Sequence, residues 1–197
     1  MATVVVPFRG SDPKQRLGLR DTDRRALAEA MLADVVAAAA PLGARLVVAP
    51  TRHPPLVGVA VVDDPGRGQG AAVAAGLAAA VAAGLPAPYV VVNADLPCVE
   101  SRDLLALAGA VPDGGLALVR AADGTTNALA LADAGLFEPL YGPGSADRFA
   151  SLAPARVLDA PNLVDDVDTL DDLVRLGDRL GEHTRRALTV LDLPSAA

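Results

Sequence analysis

The run Pro88-Tyr-Val-Val-Val-Asn-Ala-Asp-Leu-Pro97 decides how the rest of the chain is read. Val90 to Val92 are β-branched and uncharged, the composition of a strand covered on both faces of a sheet. The apolar run stops at Asn93 and presents Asp95 just before Leu96-Pro97, and Pro97 bars the strand from continuing in a central position. In open α/β sheets ligands bind beyond the carboxyl ends of the strands, which places Asp95 to hold a metal or a cationic group. An aspartate there serves equally well as a cap before the helix expected from near Ser101.

Upstream, residues 3–7 read as a strand, and the polar loop after it gathers Arg9, Lys14 and Arg16. Leu27, Ala30, Met31, Val35 and Ala38 recur at helical spacing, so a helix is expected over about 23–40, capped by Asp21 or Thr22 and ended by Gly43. Strands are expected at 45–49 and 57–62, with Pro54-Pro55 in the turn between them. Asp63-Asp-Pro-Gly-Arg-Gly-Gln-Gly70 is a glycine-rich loop opening a helix over 71–83. Such a loop lets a ligand approach the backbone and the helix end behind it favours negative charge, although a strand-to-helix turn takes glycine without any ligand. Gly76, inside that helix, marks close packing or a functional contact.

Downstream, Ser101 is expected to cap a helix over 103–110, followed by a strand at 116–120. Asp123-Gly-Thr-Thr-Asn127 turns directly into an apolar strand at 128–131, and a return strand without an intervening helix brings an antiparallel component into a parallel sheet. Tyr141-Gly-Pro-Gly-Ser145 is a rigid loop before a helix over 146–153, with Ser145 either its N-cap or a hydroxyl facing an anion. A further strand is expected at 156–158. Asn162-Leu-Val-Asp-Asp-Val-Asp-Thr-Leu-Asp-Asp172 then packs five carboxylates into eight residues. Thr169 caps the final helix, and Asp171 and Asp172 complement its dipole. Asp165, Asp166 and Asp168 have no local partner, and a cation is the economical explanation for them.

At 197 residues the chain is read as one α/β domain over 1–187 with a tail over 188–197. A net charge of -7 argues against general affinity for nucleic acid or anionic membrane, and leaves local cations or metal ions to attract any anionic substrate. The single cysteine, Cys98, excludes an internal disulfide and fits a reducing compartment. Neither His53 nor His183 is spaced to activate it, so Cys98 is read as a small core residue. The amino terminus lacks the marks of a signal peptide, and the uncharged stretch 70–93 is alanine- and glycine-rich and broken by Pro86 and Pro88, so it is not read as a membrane span. A soluble, cytoplasmic protein is expected. An alanine-rich helix face serves core and interface alike, so the oligomeric state is left open.

In order along the chain stand Val6-Pro-Phe-Arg-Gly10 with Lys14-Gln-Arg-Leu17, Asp64-Pro-Gly-Arg-Gly68, Asn93-Ala-Asp-Leu-Pro97, Gly124-Thr-Thr-Asn-Ala-Leu129, Tyr141-Gly-Pro-Gly-Ser145 and Asp166-Val-Asp-Thr169. This ordered set resembles the phosphoenolpyruvate and 2-phospho-L-lactate guanylyltransferases of coenzyme F-420 biosynthesis, relatives of the molybdenum-cofactor guanylyltransferases. The resemblance covers roughly residues 3–178. It implies a Rossmann-like nucleotidyltransferase fold with a central mixed, mostly parallel sheet flanked by helices. It further implies that Asp95 and Asp166 hold Mg2+, that Lys14 and Arg16 bind the triphosphate of GTP, and that Arg9, Gly66, Gly68 and Asn93 contact the nucleotide. Thr126, Gly142 and Ser145 correspond to the contacts for the acceptor phosphate. Arg9 stands where many relatives have lysine, and Gln69-Gly70 replaces a common Leu-Asn pair. The expected reaction is attack of an acceptor phosphate, from phosphoenolpyruvate or 2-phospho-L-lactate, on the α-phosphorus of GTP, with the product passed to the next enzyme of the pathway. The rivals are a molybdenum-cofactor-type or sugar-phosphate nucleotidyltransferase, a nucleotide-sugar glycosyltransferase, and a non-catalytic GTP-binding module.

Overall fold

The apolar runs of the amino-terminal half become parallel strands in the computed structural model, which describes residues 1–9, 17–50 and 57–193. β1 (Ala2–Pro7) is followed by α1 (Asp21–Ala39), β2 (Gly43–Ala49), β3 (Ala60–Asp63), α2 (Gln69–Ala82) and β4 (Tyr89–Val92). β1 lies between β2 and β4, with β3 outside β2, all parallel. The strand order therefore reverses at β1, and the crevice beyond the carboxyl ends of β1 and β4 is where an open α/β sheet takes its ligand.

After α3 (Ser101–Gly109) and β5 (Leu116–Arg120) the chain doubles back as β6 (Thr126–Leu131), antiparallel to both β4 and β5. β7 (Ala155–Val157) then pairs with β5 in parallel. Among the described residues the sheet order is β3-β2-β1-β4-β6-β5-β7, the mixed, mostly parallel arrangement expected. Alternate residues of the central strands serve two cores: Val4, Val6, Val90 and Val92 on one face, Val5 and Val91 on the other. α1, α3 and three carboxyl-terminal helices, α5 (Pro161–Val164), α6 (Leu170–Leu176) and α7 (Glu182–Val190), cover the first face. α2 and α4 (Ser145–Ala150) cover the second. Gly76 is a packing glycine, because a Cβ there would lie 2.5 Å from Val5 and 2.8 Å from Val48.

The helix starts differ from expectation. α1 begins at Asp21 after Arg20, so Asp21 and Thr22, the expected caps, lie inside the helix, and Asp21 and Asp23 sit in its first turn paired with Arg24 and Arg20. Ser101 and Ser145 are each the first residue inside their helices, behind Glu100 and Gly144, so neither is an N-cap. Gly144 takes that position at φ 70, where a side chain would be strained. Thr169 does cap α6, accepting from the Asp172 N–H at 3.2 Å, but this is not the last helix. α7 follows and runs across residue 188 to Val190, with Leu188 buried in the core. It is tied down by Asp34 of α1, whose carboxylate accepts from the N–H groups of His183 and Thr184 at 2.9 Å each and from the Thr184 hydroxyl at 2.6 Å. A distant aspartate thus supplies the cap that the local sequence lacks. β3 is shorter than expected, starting at Ala60, and the Pro54-Pro55 turn lies outside the described residues. No described helix is long and apolar enough to cross a membrane.

Candidate active site

At the strand-order reversal a cavity of about 200 Å³ opens, lined by Phe8 and Arg9 beyond β1, Met31 of α1, Gln69 of α2, and Asn93 and Asp95 beyond β4. The glycine loop borders it. Gly66 and Gly68 both have positive φ, 69 and 97, and a Cβ on Gly68 would lie 3.5 Å from the Arg9 guanidinium. Arg9, Gly68, Asn93 and Asp95 are therefore brought to one place from three parts of the chain. Lys14 and Arg16 lie outside the described residues.

Asp166 is not among the residues that line this cavity, but its segment approaches Asp95 through the backbone. The Val167 N–H donates to the Asp95 carbonyl at 3.1 Å, and Val167 is fully buried, so the segment carrying Asp166 is anchored directly against the end of β4. The neighbouring acids are not alike. Asp165, expected to lack a local partner, is held by Arg175 at 3.0 Å and Arg179 at 3.3 Å. Those partners come from the helix that follows and the turn beyond it, ten and fourteen residues away, too far for a reading of adjacent positions to find. Among the described residues no group of three His, Cys, Asp or Glu side chains is placed to hold a metal ion. Two carboxylates on adjoining segments fit Mg2+, which is commonly held by one or two carboxylates together with substrate phosphates.

A second cluster forms around the start of α4. The hydroxyls of Thr126 and Ser145 lie 3.1 Å apart, both buried, and the Ser145 N–H donates to the Gly142 carbonyl at 2.9 Å. The loop before α4 is shaped by Arg148, which donates to the carbonyls of Pro143 at 2.6 Å, Leu140 at 2.7 Å and Gly142 at 3.5 Å. Tyr141 packs edge-on against Phe149 from the same loop, and burial pushes its hydroxyl pKa up. Arg120, at the end of β5, pairs with Asp147 of α4.

Two residues to which sequence reasoning assigned no role join these clusters. The register of β5 with β6 shifts so that Val119 faces Ala128 and Arg120 faces Thr126, leaving Asn127 as the extra residue of a bulge. A bulge re-aims side chains. Thr126 reaches Ser145 of α4, whereas Asn127 donates to the Val164 carbonyl at the end of α5, at 3.0 Å. Asn93 donates to Asn127 Oδ1 at 3.3 Å and accepts from Gln69 Nε2 at 2.7 Å. A row of amides thus runs from the glycine-rich loop to the segment bearing Asp166. Asn127 lies in the run Gly124-Thr-Thr-Asn-Ala-Leu129, where an asparagine at the start of an apolar strand is the local signal. Cys98 is buried near this region, and burial, only partly opposed by Arg179 and Arg175, pushes its thiol up to about 11. It stays protonated at neutral pH and is no nucleophile.

Residues 11–153 match the MobA-like NTP transferase domain. The chain is 36% identical to the phosphoenolpyruvate guanylyltransferase of Streptomyces scabiei, with 98% of each chain covered. It is 34% identical to the 3-phospho-D-glycerate guanylyltransferase of Phenylobacterium zucineum, covering 99% of this chain and 98% of that one. Among solved structures it resembles the 2-C-methyl-D-erythritol 4-phosphate cytidylyltransferase of Thermus thermophilus (TM-score 0.61, 17% identity, 95% and 99% covered). A nucleotidyl transferase from Methanothermobacter is similar in the same way (TM-score 0.65, 17% identity, 96% and 99% covered).

Proposed function

The chain belongs to the MobA-like NTP transferase family and groups with its guanylyltransferases, and from that premise we propose that it transfers GMP from GTP to phosphoenolpyruvate, in the cytoplasm, as a step of coenzyme F-420 biosynthesis. 2-Phospho-L-lactate and 3-phospho-D-glycerate are the other acceptors of the same chemical class, the last named by a relative. An acceptor phosphate oxygen forms the new bond to the α-phosphorus while the bond to the β-phosphate oxygen breaks and pyrophosphate leaves. Such a transfer needs position and charge neutralisation more than a protein nucleophile, which suits a site whose one cysteine is buried and protonated.

The observation that carries the reading is the Val167 to Asp95 hydrogen bond, which sets Asp166 beside the end of β4. Asp95 and Asp166 hold Mg2+, which when bound offsets the charge of the phosphates. Arg9 and the backbone at Gly66 and Gly68 receive the nucleotide, and Lys14 and Arg16 neutralise its triphosphate. Thr126, Gly142 and Ser145 hold the acceptor phosphate, with Arg148 keeping their loop in shape. The test is pyrophosphate release from purified protein with Mg2+, GTP and each of the three acids in turn. Release with phosphoenolpyruvate is expected to be fastest. Absence of release with all three would sink the reading in favour of a binding module, and faster release with another acid would reassign the acceptor.

A further inference from the structure

The Val164 carbonyl orients three side-chain amides in succession. A carbonyl oxygen can only accept, so the end of the Asn127 amide 3.0 Å from it is Nδ2. Asn127 Oδ1 then faces Asn93, which answers with its own Nδ2 at 3.3 Å, a group also 3.5 Å from the Thr126 carbonyl. Asn93 Oδ1 in turn faces Gln69, which answers with Nε2 at 2.7 Å. Both ends of the Asn93 amide are thereby engaged inside the protein. Gln69 lines the cavity with Arg9 and Asp95, and with Nε2 turned to Asn93 the other end of its amide, Oε1, is the one left to meet a ligand, as an acceptor. A glutamine free to turn its amide over would offer a donor or an acceptor and so discriminate little. This one is locked through two asparagines by a backbone oxygen.

We propose that Gln69 is a specificity-determining residue of the nucleotide site, its Oε1 accepting a hydrogen bond from the exocyclic amine of guanine or from a ribose hydroxyl. Asn93 and Asn127 are the positioning residues that keep its amide from turning. Gly70 supports the arrangement, since a Cβ there would lie 2.6 Å from Pro139 and would push the start of α2 out of place.

The inference rests on the guanylyl-transfer reading of the same site, and the test separates the two. Pyrophosphate release is measured with GTP, inosine triphosphate, which lacks the amine, and 2′-deoxy- and 3′-deoxy-GTP, which each lack one hydroxyl. In the unaltered protein the analogue missing the contacted donor loses about tenfold in kcat/KM. Gln69→Leu, at a half-buried helix start, loses about tenfold with GTP, through KM, and less than about twofold further with that analogue. Asn127→Leu, close to asparagine in shape, removes the Oδ1 acceptor that orients Asn93 together with the donor to Val164, and shrinks the same analogue penalty, a ratio that a loss of stability alone would not move. Turnover with analogue penalties unaltered by Gln69→Leu overturns the inference and leaves the transfer reading standing. Absence of turnover overturns the transfer reading, and calorimetric binding of GTP and the same analogues to both proteins then decides the contact by the same ratio.

Discussion

Asp95 and Asp166 share one neighbourhood because a single backbone hydrogen bond, Val167 N–H to the Asp95 carbonyl, ties two loops that are far apart in the chain. Their side chains take no part in that bond, so removing either carboxylate leaves the anchor in place. Asp95→Ala and Asp166→Ala are each expected to lower kcat roughly a hundredfold or more, the scale for losing one preorganised charge-stabilising group, with unchanged circular dichroism. A near-normal rate in either variant would place the metal ligands elsewhere. Asp165, one position away, belongs to a different chemistry, since Arg175 and Arg179 already neutralise it. A run of acids in sequence divides into roles only when the partners of each are known.

Of the secondary-structure elements α6 was expected and α7 was not, and each is held by a carboxylate. Asp34, almost fully buried on α1, takes three hydrogen bonds from the first turn of α7, and a Cβ on Gly181 would collide with it. Asp34→Ala strands those donors and is expected to cost about 1–3 kcal/mol in urea unfolding, with turnover at low temperature preserved. A change below a few tenths would show that α7 is held by its apolar face alone. On α6, burial pushes the Asp172 carboxyl up, but hydrogen bonds from Thr169 and Arg175 prevail and hold it below the usual carboxylate range. A lowered folded pKa stabilises above the unfolded value, and that contribution is lost as the pH falls through the folded one. The stability gap between the unaltered protein and Asp172→Asn should therefore be widest near neutral pH and close below about pH 4. A gap that widens in acid would show that the carboxylate is not the stabilising form.

At the scale of the whole molecule, a chain of net charge -7 must receive substrates that are themselves anionic. Cations are needed at the crevice, and GTP with Mg2+ should raise the melting temperature more than GTP alone. At a hundredfold excess over Kd, the stabilisation is about 2.7 kcal/mol, and chelation should return the melting point to that with GTP alone. Equal shifts with and without Mg2+ would count against a metal held by the pair of aspartates. The site's residues were unevenly legible in the sequence. Asp95, Thr126 and Ser145 stand in short runs whose turn chemistry and strand ends can be read locally, whereas the partners of Asn127, Gln69 and Asp34 come from distant positions and leave no periodic trace. The α/β class, the mixed sheet and the strand end where Asp95 stands follow from the order of residues alone, because apolar period, glycine and proline act over a few residues. It is in the packed fold that α7 closes onto α1, that Asp165 is neutralised while the Asp166 segment meets Asp95, and that the Gln69 amide is joined through Asn93 to Asn127. Each of these depends on a hydrogen bond or ion pair between groups that meet only once the sheet and its helices have packed.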